Sequence, residues 1–360
     1  MSTVREVARR AGVSIATVSR VLNKNASVTE EIRQRVLAAI NDCRYVPTVT
    51  RRNTQALGLV FAGPWTLGSP YDVSLLEGMG QAMGTVDLDL MILNPHRDKP
   101  ADESYTQYFL RKGVRGVILR MTVEVVDVCR QIAEERFPAI VVGDHFDQPG
   151  IAFVYGDSRP ASRQAMEHLI SLGHRRIAMA ANEHEDGDHV DRMTAYRETL
   201  AEHDIPLDEK LIFKVPARRP DGAQVLRSMM TVAHPPTAIY VADPPVAIGL
   251  INEARNSGMS IPEDLSVVGF DDRDARNYVL PCMTAVCQDA VELGRTAFLE
   301  LARVVNSENP EETPQSQIAS TWFEINQTTG PPPADPTRVL PDGTRLRLHP
   351  AGAGQAPVGA

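Results

Sequence analysis

The sequence lacks the features that mark several large classes of protein. It has no run of about 18 apolar residues and no early apolar segment like that of a signal peptide, which argues against a membrane-spanning helix and against export. We therefore expect a cytosolic protein. The four cysteines, Cys43, Cys129, Cys282 and Cys287, form no CxxC pair. In a reducing compartment they are expected to be free thiols in or near the core.

Common catalytic and metal-binding motifs are also missing. No GxSxG, P-loop or GxGxxG pattern occurs. The segment from His184 to His189 is rich in potential metal ligands, but its spacing matches neither an HExxH zinc helix nor an EF-hand loop. We interpret it as a solvated acidic loop, and we expect no catalytic residue, metal or cofactor. Hydrolysis of a sugar by paired carboxylates stays an alternative, which a turnover assay would test.

What the sequence does contain is a pattern of helix, tight turn and helix over residues 3–23. Thr3 and Glu6 form a T-x-x-E capping box, Gly12 supplies the turn, and Ser14 is the predicted cap of the second helix. The predicted buried positions of that helix are Val18, Val21 and Leu22, and the outward ones are Ile15, Ala16, Thr17, Ser19 and Arg20. Thr29 begins a third helix. Three short helices around one core predict a helix-turn-helix domain.

Charge favours DNA binding over a merely structural helical bundle. Residues 1–55 carry ten Lys or Arg against four Asp or Glu, a net of +6, whereas the remainder carries 27 against 42. A chain with a net charge of −9 is ordinarily repelled by a polyanion. Because the positive charge is concentrated at one end, that end is predicted to neutralise DNA phosphates.

From Leu57 onward, short β-like runs alternate with helical segments. The runs include LGLVF, GVIL, AIVV, RIAMAA, AIYVA and SVVGF. This alternation predicts parallel sheets covered by helices on both faces. The number of strands favours two doubly wound α/β lobes over a single sheet. Ligands of such folds bind at the carboxyl ends of the strands.

Polar residues follow several of these runs. Asp144 follows AIVVG, Asp243 follows AIYVA, Asp271 and Asp272 follow SVVGF, and Arg192 begins the helix after RIAMAA. Each aspartate alone is more commonly a helix cap or a turn residue, and their joint position at strand ends makes a binding site an equal alternative. Carboxylates and a guanidinium suit the hydroxyl groups of a sugar. Trp65, Phe146 and Tyr155 are candidates for stacking on its apolar face, with core packing as the alternative.

The segment AGVSIATVSRVLN, followed by a third helix ending at Arg44-Tyr45-Val46-Pro47, resembles the headpiece of the LacI/GalR family of bacterial transcriptional regulators. The resemblance continues through Gly58-Leu59-Val60, residues 169–178 and residues 264–272, and so to about residue 330. It implies a headpiece over residues 1–46, a linker over 47–56, and a two-lobed, periplasmic-binding-protein-like body over 57–330. Residues 331–360 are rich in Pro, Gly and Ala and are expected to form a disordered tail.

The resemblance also implies roles for residues of the headpiece. Ile15, Ala16 and Arg20 fall at base-reading positions, and Thr17, Ser19 and Asn23 at phosphate-contacting ones. The full predicted DNA-binding set is Thr3, Arg5, Ser14, Ile15, Ala16, Thr17, Ser19, Arg20, Asn23, Arg51 and Arg52. The linker departs from the family because it is shorter and lacks the leucine that wedges into the minor groove. We expect Arg51 or Arg52 to enter or line the minor groove instead.

In the body, the resemblance implies that Asp144, Asp188, Arg192, Asp243 and Asp271 bind an effector in a cleft between the lobes. A sugar is the leading ligand class, and a purine or another polar metabolite is the alternative. A homodimer is expected to read a pseudo-palindromic operator, and the tail shows no heptad that would form a tetramer. The sequence leaves open whether the effector induces or corepresses. A ligand-independent regulator with a vestigial cleft is a further alternative.

Overall fold

The structure is a computed structural model that describes residues 3–22, 28–43, 45, 55–61, 68–120, 126–145, 150–183, 186–309, 311–339 and 344–347. The chain divides into a first unit, Met1–Tyr155 with Ala290–Ile318, and a second unit, Gly156–Asp289 with Ala319–Ala360. The first contains the helical headpiece and one α/β lobe, and the second contains the other lobe. The predicted fold class is confirmed.

The headpiece consists of α1 (Val4–Ala11), α2 (Ile15–Leu22) and α3 (Glu30–Asp42). Thr3 caps α1, its hydroxyl accepting from the backbone N–H of Glu6 at 3.4 Å. Gly12 ends α1 with a φ of 65°, in the left-handed region that glycine adopts without strain. The Arg35 guanidinium donates to the Ala11 carbonyl at 2.6 Å and so ties α3 to the turn. The buried side chains that form the small core include Val7, Ala11, Val18, Val21, Val36, Leu37 and Ile40.

The body strands are β1 (Ala56–Phe61), β2 (Asp89–Leu93), β3 (Val117–Arg120), β4 (Ala139–Val142), β5 (Ala152–Asp157), β6 (Ile177–Asn182), β7 (Ile212–Val215), β8 (Ala238–Val241), β9 (Ser266–Asp271), β10 (Thr284–Cys287), β11 (Gln317–Ser320), β12 (Trp322–Glu324), β13 (Thr337–Val339) and β14 (Arg345–Arg347). The body helices are α4 (Pro70–Met83), α5 (Pro95–Asp98), α6 (Tyr105–Lys112), α7 (Val126–Glu134), α8 (Arg159–Ser171), α9 (Gly187–Glu202), α10 (Arg219–Met230), α11 (Pro244–Asn256) and α12 (Ala290–Asn306), with 3₁₀ helices at Glu209–Leu211 and Ala275–Tyr278.

Each lobe is built on a six-stranded sheet. The strand order is β11-β5-β4-β3-β1-β2 in one lobe and β12-β10-β9-β8-β6-β7 in the other. From β5 to β2, and from β10 to β7, every neighbouring pair is parallel. β12 pairs with β10 in the antiparallel direction. The predicted parallel, doubly wound sheets are therefore confirmed, and the carboxyl ends of the parallel strands meet at one edge of each sheet.

Close helix pairs pack both lobes. At Gly78 of α4, an added Cβ would lie 1.8 Å from the carbonyl oxygen of Val291 in α12, and at Gly294 it would lie 2.1 Å from that of Leu75. Gly222 of α10 and Gly249 of α11 approach in the same way in the second unit. Because backbone meets backbone at these crossings, only glycine fits there.

The headpiece also contacts the lobe of its own unit. The side-chain amide of Asn41, near the end of α3, donates to Thr106 Oγ1 at 3.1 Å and to the carbonyl oxygen of Glu135. Glu135 in turn accepts from the N–H groups of Tyr105 and Thr106 at the start of α6. Asp42 lies 3.5 Å from the Arg136 guanidinium. Glu135, the residue that follows α7, therefore links the headpiece to the beginning of α6.

The expectation of a disordered tail is wrong for part of it. β13 and β14 pair in an antiparallel two-stranded sheet. Thr337 is buried and donates to Asp264 Oδ1 at 3.1 Å, and Arg338 donates to the Thr231 carbonyl at 3.2 Å. These two bonds connect β13 to earlier parts of the second unit, to which the hairpin belongs. Residues 340–343 and 348–360 lie outside the described part of the chain.

The predicted domain boundaries stay predictions. Residues 46–54, and with them most of the predicted linker, lie outside the described residues. Ala56, expected at the end of the linker, begins β1. Across the described ranges, no helix is both long and apolar enough to cross a membrane. All four cysteines are free, as predicted, with Cys282 partly exposed and the other three buried.

Candidate functional site

The second helix of the headpiece presents the outward face that the sequence predicts. Ile15, Ala16, Ser19 and Arg20 are exposed, whereas Val18 and Val21 are buried. Ser14 caps this helix, as expected, because its hydroxyl accepts from the Thr17 N–H at 3.1 Å. The half-buried Thr17 hydroxyl lies 2.9 Å from that of Ser14. The helix therefore offers small, hydroxyl and cationic groups to a partner.

The remaining predicted DNA contacts divide into two groups. Arg5 is exposed on α1, and Thr3 lies at its N-terminus. Asn23, Arg51 and Arg52 lie outside the described residues. Each predicted contact with DNA stays a prediction.

Four predicted effector residues lie in the second unit, three of them in one buried polar cluster at the carboxyl ends of β6, β8 and β9. Arg192 of α9 is only 4% exposed. Its guanidinium donates to Asp188 one turn earlier and to the Ala242 carbonyl at 2.6 Å, and it lies 3.4 Å from the centre of the Phe270 ring. Burial disfavours the charged guanidinium, but nearby carboxylates, first Asp188, outweigh this effect and raise the pKa of Arg192.

Asp188 holds Arg192 in a fixed position. One of its oxygens accepts from Arg192, and the other accepts from the buried hydroxyl of Ser158. The spacing of four residues puts Asp188 and Arg192 on the same face of α9. The pair is therefore a buried, hydrogen-bonded ion pair at the start of a helix.

His189 joins the ends of two elements. Its Nδ1 lies 2.6 Å from Asp186 Oδ1 and its Nε2 lies 3.1 Å from Asp243 Oδ1. Burial opposes a charge on the ring, yet the two carboxylates prevail and raise the pKa of His189 well above its ordinary value. An imidazolium can donate from both nitrogens at once. The geometry therefore describes a charged histidine between two aspartates.

Asp243 is the third predicted residue of the cluster and directly follows β8. It is 9% exposed, and its Oδ1 accepts from His189. Its Oδ2 is buried without a hydrogen-bond partner, as is the Nε of Arg192. Most buried polar atoms in proteins are satisfied, so these two point to a missing partner.

Asp271 and Asp272 are neighbours with different environments. Asp271 is fully buried; its carboxylate accepts from the backbone N–H groups of Arg273, Ala275 and Arg276, and it pairs with the Arg276 guanidinium at 2.6 Å. By contrast, Asp272 Oδ1 accepts a hydrogen bond of 2.7 Å from the Gln288 side-chain amide. Burial raises the pKa of Asp272 to about 7. Asp271 thus holds a turn, and its predicted ligand contact stays a prediction. Asp272, which follows the same strand but was not among the predicted effector residues, has the raised pKa.

In the first unit, Asp144 follows β4 as predicted. It is buried, and its Oδ1 accepts from the His145 N–H at 2.7 Å. The His145 ring lies 4.3 Å from that of Tyr155, one of the three candidate stacking residues. Trp65 and Phe146 lie outside the described residues. Arg120 ends β3 and pairs with Asp72 at 3.0 Å, and neither residue belongs to the predicted effector set.

The interpretation of residues 184–189 as a solvated loop is wrong for Asp186 to His189. Asp186 caps α9, Asp188 is buried, and the side chains of Asp186 and His189 are each 12% exposed. The sequence could have suggested that Asp186 caps a helix containing His189. No local signal indicates that His189 also contacts Asp243, 54 residues later. His184 and Glu185 lie outside the described residues. Among those that are described, no group of three or more His, Cys, Asp or Glu could hold a metal ion.

Two family models match the sequence. Residues 3–48 match the model of bacterial regulatory proteins of the lacI family, and residues 166–323 match a periplasmic binding protein-like domain. Catabolite control protein A from Staphylococcus xylosus is 28% identical over 318 residues, covering 86% of this chain and 94% of that protein. The HTH-type transcriptional repressor PurR from Erwinia tasmaniensis is 27% identical over 352 residues, covering 93% and 99% respectively.

The fold also matches solved structures. The structure of a transcriptional regulator CelR-cellobiose complex superposes with a TM-score of 0.66 and 26% identity, covering 91% of this chain and all of that one. The lac repressor dimer bound to operator and an anti-inducer has the same TM-score at 23% identity, covering 91% and 99% respectively, and supports the fold alone.

Proposed function

Because this chain belongs to the LacI/GalR family of bacterial transcriptional regulators, we propose that a small ligand bound in its body controls its affinity for an operator in double-stranded DNA. Like its relatives, the chain is a DNA-binding transcriptional regulator and not an enzyme. The proposed part is the control by a ligand, together with repression as its usual effect on transcription.

The buried polar cluster of the second unit carries this proposal. Arg192 and Asp243 each keep a buried polar atom without a partner at the carboxyl ends of the strands. In open α/β sheets, that edge is where ligands bind. A hydroxyl group both donates and accepts, so one hydroxyl could satisfy the Asp243 oxygen and another the Arg192 Nε.

A sugar is the leading ligand class. One similar structure is that of a transcriptional regulator CelR-cellobiose complex. A purine or another polar metabolite remains the alternative, and one similar repressor is named PurR. In this proposal, Asp188 positions Arg192, and Asp144 and Asp271 retain their predicted contributions. The sign of the effect, induction or corepression, depends on which state of the protein the ligand binds more tightly.

We further propose a cytosolic homodimer that reads a pseudo-palindromic operator. Ile15, Ala16 and Arg20 would contact base edges, with Arg20 favouring guanine, while Thr17, Ser19 and Asn23 contact phosphates. Arg51 or Arg52 would enter or line the minor groove. If replacing both with alanine leaves DNA affinity and its salt dependence unchanged, this role of the linker is wrong.

The experiment that tests the regulator is capture of fragmented genomic DNA from the source organism by the purified protein at near-physiological salt. An enriched palindrome that is lost with Arg20→Ala supports sequence reading. If Arg20→Ala weakens binding equally on all sequences, Arg20 is a phosphate anchor. Candidate sugars and purines are then added during a titration of the enriched site.

The ligand experiment distinguishes control by an effector from a vestigial site. A change in operator affinity upon addition of one candidate, abolished by Arg192→Met, supports the proposal. If neither the candidates nor a metabolite extract of the source organism changes the melting temperature or DNA affinity, the protein is a ligand-independent regulator.

A further inference from the structure

The buried cluster of the second unit contains more acidic groups than basic ones. Among the described residues its acidic side chains are Asp186, Asp188, Asp243 and Asp272, of which Asp272 keeps its proton up to about pH 7, and its basic ones are His189 and Arg192. Asp271 does not add to this excess, since Arg276 pairs with it. Unpaired charge is unfavourable where water is excluded, and among the described residues of the site the Asp243 carboxylate keeps one buried oxygen that no donor reaches.

The hydrogen bonds show which polar atoms of Asp188, Asp243 and Arg192 have partners and which do not. Both oxygens of Asp188 accept hydrogen bonds, one from Arg192 and the other from Ser158. In Asp243, Oδ1 accepts from His189, whereas Oδ2 is buried without a donor. Arg192 is satisfied at both terminal nitrogens, but its Nε has no acceptor. The site therefore offers one free carboxylate oxygen and one free guanidinium N–H.

We propose that the ligand is a hydroxylated amine, of which an amino sugar is the simplest example, whose ammonium group binds Asp243 and whose oxygen accepts from Arg192. This inference rests on the proposed function and specifies its ligand class. An ammonium group donates without accepting, and it pairs with a carboxylate through a charge-assisted hydrogen bond. A neutral sugar would offer Asp243 a hydroxyl donor, which forms a weaker hydrogen bond with a carboxylate than an ammonium group does. A phosphorylated or carboxylated ligand would place a second negative group beside that carboxylate.

The environment of Asp272 agrees with a site that lacks a cation. Its buried carboxyl retains a proton to a higher pH than usual, which removes one negative charge from the cluster. Gln288 donates to it at 2.7 Å and carries no charge. A bound ammonium group would supply the compensation that the proton gives in the free protein.

The test uses the full chain and a metabolite extract of the source organism. The extract is separated on a cation-exchange resin at pH 6 into a retained fraction, which holds amines, and a flow-through, which holds neutral sugars and anions. Each fraction is added to the protein, with D-glucosamine and D-glucose as pure probes, and the melting temperature is measured. We expect the retained fraction to raise it, because a ligand that binds the folded state stabilises that state.

Each result has a separate meaning. Stabilisation by the flow-through alone would overturn the amine inference and leave control by a ligand intact. Stabilisation by neither fraction would contradict the proposed function itself. Periodate cleaves vicinal hydroxyl and amino alcohol groups, so treatment of the retained fraction, followed by quenching, should abolish its effect. If the effect survives, the ligand is an amine without those hydroxyl groups, and the inference is wrong.

Two variants assign the effect to the site. Asp243→Asn keeps the shape of the side chain and removes its charge, and we expect it to weaken binding of the active fraction by about tenfold to a hundredfold. Asp272→Asn should also weaken binding and gives an independent result if Asp243→Asn fails to fold. The control is Asp204→Asn, which removes one carboxylate from an exposed turn of the same unit. Equal affinity in all three variants would overturn the assignment.

Discussion

Arg192 and Asp188 show how much of the site depends on one ion pair. The guanidinium is almost wholly buried, and Asp188 is the carboxylate that accepts from it. A buried pair contributes little over an apolar pair of the same shape, but the loss of one partner leaves a charge without compensation. The cluster should therefore be much more sensitive to single substitutions than to a paired replacement.

We expect Asp188→Ala to lower the free energy of unfolding by about 3–5 kcal/mol, because Arg192 then keeps a buried charge without its carboxylate. Urea denaturation measures this loss. The matched control is Glu198→Ala on the same helix, which removes the partner of Arg159 at 2.7 Å on the surface. It should cost about 1 kcal/mol or less. Similar losses for the two variants would contradict the role of burial.

Asp272 predicts a dependence of stability on pH. In the folded protein its pKa is about 7, against an ordinary value of 3.8 for an aspartate. Between these values the folded state binds more protons than the unfolded chain, so the free energy of unfolding should fall as pH rises. In Asp272→Asn this contribution is absent. Urea unfolding from pH 4 to 8 should therefore show the stability of the variant rising relative to that of the unaltered protein until about pH 7. Parallel curves would rule out a raised pKa.

At the residue scale, the sequence predicted the members of the cluster that lie close together in the chain. The spacing of Asp188 and Arg192 indicates one face of a helix, and Asp243 directly follows a strand. The sequence could not show that His189 bonds to Asp243, because this contact depends on how two βα units pack. Nor could it show which of Asp271 and Asp272 faces the following turn.

At the scale of elements, the crossing of α4 and α12 is set by small residues. Gly78 and Gly294 let the two helix backbones meet, and no side chain fits between them without displacing one helix. An exposed glycine in the same helix, Gly80, has open space around its Cβ position. The two positions therefore separate the cost of packing from the general effect of glycine in a helix.

Gly78→Ala should destabilise the protein by about 1–3 kcal/mol or more, because the added methyl group would meet the carbonyl of Val291. Gly80→Ala should instead stabilise it by about 0.5–1 kcal/mol, since alanine favours the helix. Thermal and urea unfolding of both variants measure the difference. If Gly78→Ala is as stable as Gly80→Ala, then α4 and α12 do not cross as closely as described.

Elements with a strong local pattern were predicted correctly, and those that depend on distant contacts were not. The parallel strands are nearly continuous apolar runs, so their identity and direction followed from the sequence. The β13–β14 hairpin has few apolar residues, and composition therefore indicated disorder. Its first strand is held by Thr337 and Arg338, which bond to residues 73 and 107 positions earlier. No local pattern contains that information.

At the scale of the whole molecule, the chain order of the two units could not be derived from local patterns. α12 lies near the C-terminus, yet it belongs to the first unit and packs against α4. The two lobes were predicted from the number of strands and from the family resemblance. The return of the chain to the first unit depends on contacts that span more than half of the sequence.

The distribution of charge is also a property of the whole chain. A net charge of −9 alone would oppose binding to a polyanion, but the first 55 residues carry a net of +6. Attraction to DNA decays over about 8–10 Å at physiological salt, so local charge decides the interaction. The position of an arginine should therefore matter more than its contribution to the total.

Arg5→Gln on the headpiece and Arg255→Gln on the second unit change the net charge by the same amount. Both arginines are exposed. If Arg5 contacts a phosphate, its loss should reduce the slope of log affinity against log salt for a generic DNA duplex by about one. Arg255→Gln should leave the slope unchanged. Fluorescence anisotropy at several salt concentrations measures both. Equal changes would mean that total charge governs binding, whereas no change in either would remove Arg5 from the DNA interface.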